Sequence, residues 1–441
     1  MVRHVKYSLE LLIPKKDLVE SNDILTTFFG TKWLNGNNKN PLQLLWQRND
    51  LLAKAERYSL GNSIETIKNK NPDWVKQKVE RIKSNERGNI FGAVFEILAS
   101  AMFERGSNHE VIFPPSDNPG IDFIVRFKDG ANMNVSCKNH RKSNNSINFD
   151  KESEKFKERF VNFCKGLNLN IQCLIFSNKF PKHREWQILN KSISDILLSA
   201  FDNGISNKYQ SFKEENWTIN IGNFSNYEKL LSKFGLSYNL MIFARFHQNE
   251  LENLRGHLID GLDNLSEYGP DQNEDNINII YVNLGDNYSL DYCEEIGMEY
   301  LKENKNKPIA GLYFQKGYPT HDSTKFDTIY SYRLVKNDFY DIWNSDKDDR
   351  IVNLSSPIAS EYTLADTERS LLTEKEGIIE KLPLNNDLYF YHKGELYLKY
   401  DENHFNKSAT PGLQINLVKK TKDETEIHFI DTSPKDEFIL L

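Results

Sequence analysis

Residues 119–138 read PGIDFIVRFKDGANMNVSCK, and how this stretch folds decides the architecture around it. Two runs, Asp122 to Phe127 and Met133 to Lys138, flank Lys128-Asp129-Gly130-Ala131-Asn132. β-branched and aromatic residues on either side of a short Gly-containing break predict a β-hairpin. With the turn centred on Gly130, Asp122 faces Lys138, Ile124 faces Ser136 and Arg126 faces Asn134. Directly opposed residues share a face of the sheet, so Asp122, Ser136 and Lys138 project together. The other face then holds Phe123, Val125, Phe127, Met133, Val135 and Cys137, a wholly apolar set. A slip of one residue would carry Lys138 to that apolar face, so the pattern itself supports the chosen register.

The flanks extend the pattern into alternating helices and strands. Ile90, Phe91, Val94, Phe95, Leu98 and Met102 recur at helical spacing before the hairpin, and Glu110 to Phe113 predicts a short strand. After the hairpin, Phe156, Phe160, Phe163, Cys164 and Leu167 mark a helix, and Ile171 to Ser177 is an apolar run suited to a strand covered on both faces. Upstream, the chain to about Gly88 reads as mostly helical. Its last helix, between Ile64 and Arg87, carries seven Lys/Arg against four Asp/Glu, which reads as a solvated face or a nucleic-acid contact. Strand candidates at Tyr238–Phe246, Ile277–Leu284, Ile309–Phe314 and Thr328–Leu334 keep an α/β rhythm, with a helix at Asp291–Lys302. The charged break Ser345–Arg350 reads as a boundary, followed by antiparallel strand candidates from Leu388 to Ile430.

Three ionisable residues stand out against this background. Glu96 is the sole charge between Ile90 and Phe103. An acid inside an apolar helix must face a cleft, find a partner, or carry a desolvation penalty. Asp122 opens one strand and Lys138 closes the next. Two carboxylates beside a lysine are what metal-assisted phosphodiester cleavage requires, since Mg²⁺ prefers carboxylate oxygens and retains waters. The same three residues would also serve as a buried ion-pair cluster. Pro119-Gly120-Ile121-Asp122, then Ser136-Cys137-Lys138, with Glu96 on the preceding helix, resembles the PD-(D/E)xK nuclease superfamily. The resemblance covers about Gly88 to Asn178. It implies a restriction-endonuclease-like αβββαβ core with a mixed sheet, in the α/β (α+β) class. It further implies Mg²⁺ or Mn²⁺ as cofactor, with Glu96 and Asp122 as metal ligands. Glu96, Asp122, Ser136 and Lys138 would be the catalytic set, and Lys138 would serve the attacking water. Ser136 stands where the family carries an acid, and Ile121 where it carries proline. His140, Arg141 and Lys142, on the polar loop after Lys138, are candidates for contacting nucleic-acid phosphates, or form a solvated turn.

Composition bounds the rest. The chain has 441 residues, 39% of them hydrophobic and 27% charged, with a formal net charge of −7; mean hydropathy is −0.62. That balance argues against a histone-like coat protein but leaves room for a local basic cleft. Cys137, Cys164, Cys173 and Cys293 form no CxxC pair, and no signal peptide or membrane-length apolar run is present. These features point to a cytoplasmic protein with no membrane association. P-loop, dinucleotide, nucleophile-elbow and HExxH signatures are absent. His247 and His257 read as structural or exposed. The expected organisation is a helical N-terminal region (1–87), a nuclease core with an α/β extension (88–345) and a small β-rich C-terminal module (346–441). The activity that the resemblance implies is a metal-dependent DNA endonuclease of restriction or anti-phage defence, with DNA as substrate and a homodimer or partner protein completing it. The alternative is a catalytically degenerate nuclease fold that binds DNA or protein.

Overall fold

A computed structural model describes the chain except for residues 1, 9, 12, 37–39, 49–50, 85, 107, 115–119, 142, 168–170, 178, 180, 203–209, 223–236, 245–247, 274, 286–287, 289, 322–324, 341–353, 355–358, 364–369, 376–377, 384–387, 393–394, 400–404, 409–413, 421–424, 432–439 and 441. Pro119, Lys142, His247 and the Ser345–Arg350 break fall outside the described residues.

The elements in chain order begin with strands β1 (Val2–Ser8) and β2 (Glu10–Leu11). Helices α1 (Lys15–Phe29), α2 (Thr31–Leu34), α3 (Pro41–Trp46), α4 (Leu51–Ile67), α5 (Pro72–Lys83) and α6 (Arg87–Glu104) follow. Then come β3 (His109–Ile112), β4 (Phe123–Phe127), β5 (Asn132–His140), α7 (Asn144–Gly166), β6 (Ile171–Ser177), α8 (His183–Asp202), β7 (Gln210–Glu214), β8 (Trp217–Gly222) and β9 (Ser237–Ala244). Next are α9 (Gln248–Tyr268), β10 (Asn276–Leu284), α10 (Leu290–Glu303), β11 (Gly311–His321), β12 (Lys325–Lys336) and β13 (Ala359–Thr363). Seven short strands complete the described chain, β14 (Ser370–Lys375), β15 (Ile378–Pro383), β16 (Leu388–His392), β17 (Glu395–Lys399), β18 (Phe405–Ser408), β19 (Gln414–Lys420) and β20 (Thr425–Asp431). Among the described residues, no helix is long and apolar enough to cross a membrane.

These elements form two compact units, each drawn from separated stretches of sequence rather than the three consecutive regions expected. One comprises residues 1–9, 142–250 and 367–435; the other comprises 10–141, 251–366 and 436–441. The first is built on a seven-stranded sheet, ordered β18-β17-β16-β9-β6-β8-β7. Its core gathers Phe156, Phe160, Trp186, Leu189 and Trp217. The strands expected to form a C-terminal module therefore do not stand apart. β16 pairs with β9, and β20 pairs with β1.

The second unit holds the candidate site. Its eight-stranded mixed sheet runs β13-β12-β11-β10-β5-β4-β3, with β2 beside β12. β4 runs antiparallel to both β3 and β5, and β10 lies parallel to β5, with Ile279 opposite Val135 and Ile280 opposite Ser136. Helix α6 covers one face. Phe95, Ala99 and Phe103 pack there on Phe123, Val125, Val135, Cys137 and Tyr281, so the apolar face expected from the sequence is the core face. Helix α9 covers the other. A Cβ on Gly120 would stand 2.5 Å from the Asn264 carbonyl oxygen, and one on Gly261 would stand 2.9 Å from the Ile280 side chain. Only glycine admits an approach that close.

The structure corrects two expectations. The apolar run Ile171–Ser177 was expected beside the hairpin; as β6 it belongs to the other unit, paired with β8 and β9. An apolar run suits any doubly covered strand, so composition does not choose between sheets. Its place beside β5 is taken by β10, so the order α6-β3-β4-β5-α9-β10 runs with residues 142–250 set into it. The hairpin register is the second correction. Phe123 faces Val135 and Val125 faces Met133, a shift of two residues from a turn centred on Gly130. The turn is Lys128-Asp129-Gly130. Phe127 N–H reaches Ala131 O at 2.8 Å, the Asp129 carboxylate accepts Ala131 N–H at 3.0 Å, and Gly130 sits at φ +91°. A three-residue turn closed by a left-handed glycine is a standard hairpin connection. A shift of two preserves parity, so the apolar face is unchanged, and Asp122 falls in line with Ser136 rather than Lys138.

Candidate active site

The site forms where β4 begins and β5 ends, with α5 and α6 on one side. Helix α5 is started by Asn71, whose side chain accepts the Trp74 N–H at 3.0 Å, with Pro72 next in the first turn. That start phases Trp74, Val75, Lys78, Val79 and Ile82 onto the buried stripe. Helix α6 buries Glu96 among the apolar residues predicted around it, 5% exposed.

Glu96 does not lie there alone. The Lys78 ammonium is in direct contact with its Oε2, both side chains 7% exposed. Arg81 Nη1 donates to Oε1 at 3.2 Å and to Oε2 at 3.3 Å. Lys78 also lies 4.9 Å from the centroid of the Trp74 ring. Both cations come from the basic stretch whose charges were read as an outer face. Lys78 was legible by the argument that singled out Glu96, as a charge within the apolar stripe Trp74-Val75-Val79-Ile82.

Asp122 closes the hairpin ladder with its side chain. Its N–H reaches Val135 O at 2.9 Å, and its carboxylate accepts the Cys137 N–H at 2.7 Å. Burial, then the charge of Glu96, push the Asp122 carboxyl up to about 7, against the opposing pull of Lys78, the Cys137 N–H and Lys138. Burial together with Asp122 and Glu96 holds the Cys137 thiol high. Of the three residues singled out from sequence, Asp122 lies within electrostatic reach of both Glu96 and Lys138, although the three come from different elements.

The remaining predicted residues divide. Ser136 is fully buried and its Oγ has no hydrogen-bond partner among the described residues. His140 is 2% exposed, so it lies inside the unit rather than at a rim reaching nucleic acid. Its ring is 4.3 Å from that of Tyr288 and 5.2 Å from that of His257, and burial pushes its pKa down to about 3. The alternation that puts Lys138 beside the site puts His140 further along the same face, where α9 covers it. Burial likewise lowers the pKa of His257, which feels both Asp260 and Lys138. The Arg141 guanidinium stacks 4.0 Å from the centre of the Phe91 ring and donates to Leu440 O. It is anchored at the end of β5.

As donors for a metal, Glu96 and Asp122 are hard oxygen ligands of like charge within reach of each other, and a Mg²⁺ ion keeps most of its own waters. The raised proton affinity of Asp122 comes first from burial and then from the charge of Glu96, with Lys78 and Lys138 opposing it. These two residues fit a hard divalent ion. Among the described residues, no three of His, Cys, Asp and Glu converge to form a protein-only cage. Compared with family models, with curated proteins and with solved structures, the chain matches none of them.

Proposed function

We propose that the second unit is a restriction-endonuclease-like core and that the chain is a Mg²⁺- or Mn²⁺-dependent DNA endonuclease acting at Glu96, Asp122 and Lys138. The observation that carries this reading is that Asp122, at the open end of the β4–β5 hairpin, feels the charges of both Glu96 and Lys138. The element order supports it too. An αβββαβ core with a mixed sheet is what the resemblance implies, and α6-β3-β4-β5-α9-β10 follows that order with β10 parallel to β5.

Hydrolysis adds a water oxygen to phosphorus, breaks the bond to the leaving oxygen, and passes the water's proton to a neighbouring base. Lys138 places a positive charge at the site, orienting the water or offsetting charge on the phosphate. Asp122 is held by the Cys137 N–H and Glu96 by Arg81, so both carboxylates have fixed positions. Held between Glu96 and Asp122, a divalent ion would supply Lewis-acid stabilisation of the phosphate and a more acidic water. A role in restriction or anti-phage defence, and a homodimer cutting both strands, come with the family reading.

Ser136 favours a second reading. Where the family carries an acid, this chain has a buried hydroxyl, and Glu96 is already engaged by two cations. The same cluster would then bind DNA without cutting it. Incubating the full chain with plasmid and phage DNA, modified and unmodified, with Mg²⁺ or with EDTA, separates the two. Nicking or linearisation confined to Mg²⁺ supports the nuclease. Retention of intact DNA under both conditions supports the binding module, and neither cleavage nor binding removes both.

A further inference from the structure

We propose that Lys78 is the built-in counter-cation of the Glu96–Asp122 pair, and that it competes with a divalent ion for those carboxylates. The inference rests on the reading of this cluster as a nuclease site. It extends that reading to a residue that neither the motif nor the resemblance assigns.

Lys78 and Glu96 are each 7% exposed and in contact. A carboxylate this deep needs a cation beside it, because a buried charge stripped of its partner is strongly destabilising. Arg81 cannot fill that need alone. It shares one nitrogen between the two Glu96 oxygens, and its own side chain is 37% exposed. Lys78 supplies the inner half of the neutralisation, and it also acts on Asp122. It thus acts on both carboxylates from within the apolar stripe of α5.

The choice of lysine matters. Its ammonium is a point charge on a flexible stem, whereas a guanidinium locks onto a carboxylate in a fixed fork. Lys78 also has a second place to rest, since its ammonium already lies 4.9 Å from the Trp74 ring centroid. An ammonium over an indole face retains favourable electrostatics after leaving a carboxylate. A divalent ion arriving at Glu96 and Asp122 would displace Lys78 toward Trp74, leaving Arg81 on the outer side of Glu96. The two carboxylates would then never be without a cation. The lysine holds the site in the absence of metal and weakens metal binding by its presence.

The test is Mn²⁺ binding to the full chain, followed by the loss of free-Mn²⁺ signal in electron paramagnetic resonance, a readout independent of cleavage. Lys78→Met should tighten Mn²⁺ binding at least tenfold, and adding Asp122→Asn to that variant should abolish the gain. Lys78→Arg keeps the charge should Lys78→Met fail to fold. Because its fork is harder to displace, it should bind Mn²⁺ more weakly than wild type. Unchanged or weaker binding in a folded Lys78→Met, or tighter binding in Lys78→Arg, overturns the proposal. Wild-type protein that cleaves DNA while these variants bind Mn²⁺ as it does keeps the nuclease reading and removes the role of Lys78. The Mn²⁺ shifts in a protein that never cleaves keep the role of Lys78 and remove the nuclease reading.

Discussion

Replacing Asp122 by Asn should stabilise the protein at alkaline pH while removing a residue of the site. In the folded chain the Asp122 carboxyl is pushed up to about 7 from an ordinary 3.8, first by burial and then by Glu96. For an acid shifted upward, the folded state holds the proton more tightly than the unfolded state. Below pH 4 both forms are protonated and the group contributes nothing to the difference. As pH rises from about 4 to about 7, the unfolded chain ionises first and stability falls; above 7 the penalty is complete. A displacement of that size corresponds to about 2–4 kcal/mol once relaxation around the carboxylate is allowed for. Asparagine has no proton to lose and keeps an oxygen to accept the Cys137 N–H, so the variant escapes the penalty. For a unit of this size, that gain raises Tm by about 5–10 °C at pH 8. Wild type and Asp122→Asn are compared by thermal unfolding in EDTA at pH 4, 6 and 8. The gain should be near zero at pH 4 and largest at pH 8. Equal Tm values at pH 8, or a gain that persists undiminished at pH 4, would refute the reasoning.

Other changes follow from the same contacts. Glu96→Ala removes the carboxylate in contact with the Lys78 ammonium, which is 7% exposed, and leaves it with Asp122 and the Trp74 ring. It should destabilise the unit by about 3–5 kcal/mol, read as a fall in the urea midpoint. Ser136→Ala removes a hydroxyl that is buried without a partner among the described residues. It should leave cleavage unchanged and add up to about 1 kcal/mol of stability; a loss of cleavage above tenfold would return Ser136 to the catalytic set.

The parts of the fold read correctly from sequence were those where a local pattern was broken. Glu96 stood out as a charge in an apolar helix, and Asp122 and Lys138 as the polar ends of strands whose other face was wholly apolar. In the structure, Asp122 feels the charges of both Glu96 and Lys138. The hairpin's faces were legible because parity survives a shift of two; its register was not, because the turn centre depends on Gly130 adopting φ +91° at the third turn position rather than the middle. The parallel partner of β5 was hidden by distance along the chain. β10 returns only after residues 142–250 have formed part of the other unit, and β6 offered an equally apolar candidate nearer in sequence. Lys78 and Arg81 were missed because a run of mixed charges suggests a solvated face, whereas Lys78 falls on the stripe of α5 that packs inward. The burial of His140 depends on α9, a helix from well over a hundred residues downstream whose packing no local pattern signals.

Whether Glu96, Asp122 and Lys138 together hydrolyse phosphodiester bonds is read from the single-turnover cleavage rate of a DNA duplex. Wild type, Asp122→Asn and Lys138→Met are measured in Mg²⁺ and in EDTA, each variant first shown to be folded. Wild type should cleave in Mg²⁺ only, with each substitution lowering the rate by about a hundredfold or more. Cleavage in Mg²⁺ that survives both substitutions at the wild-type rate would contradict that role.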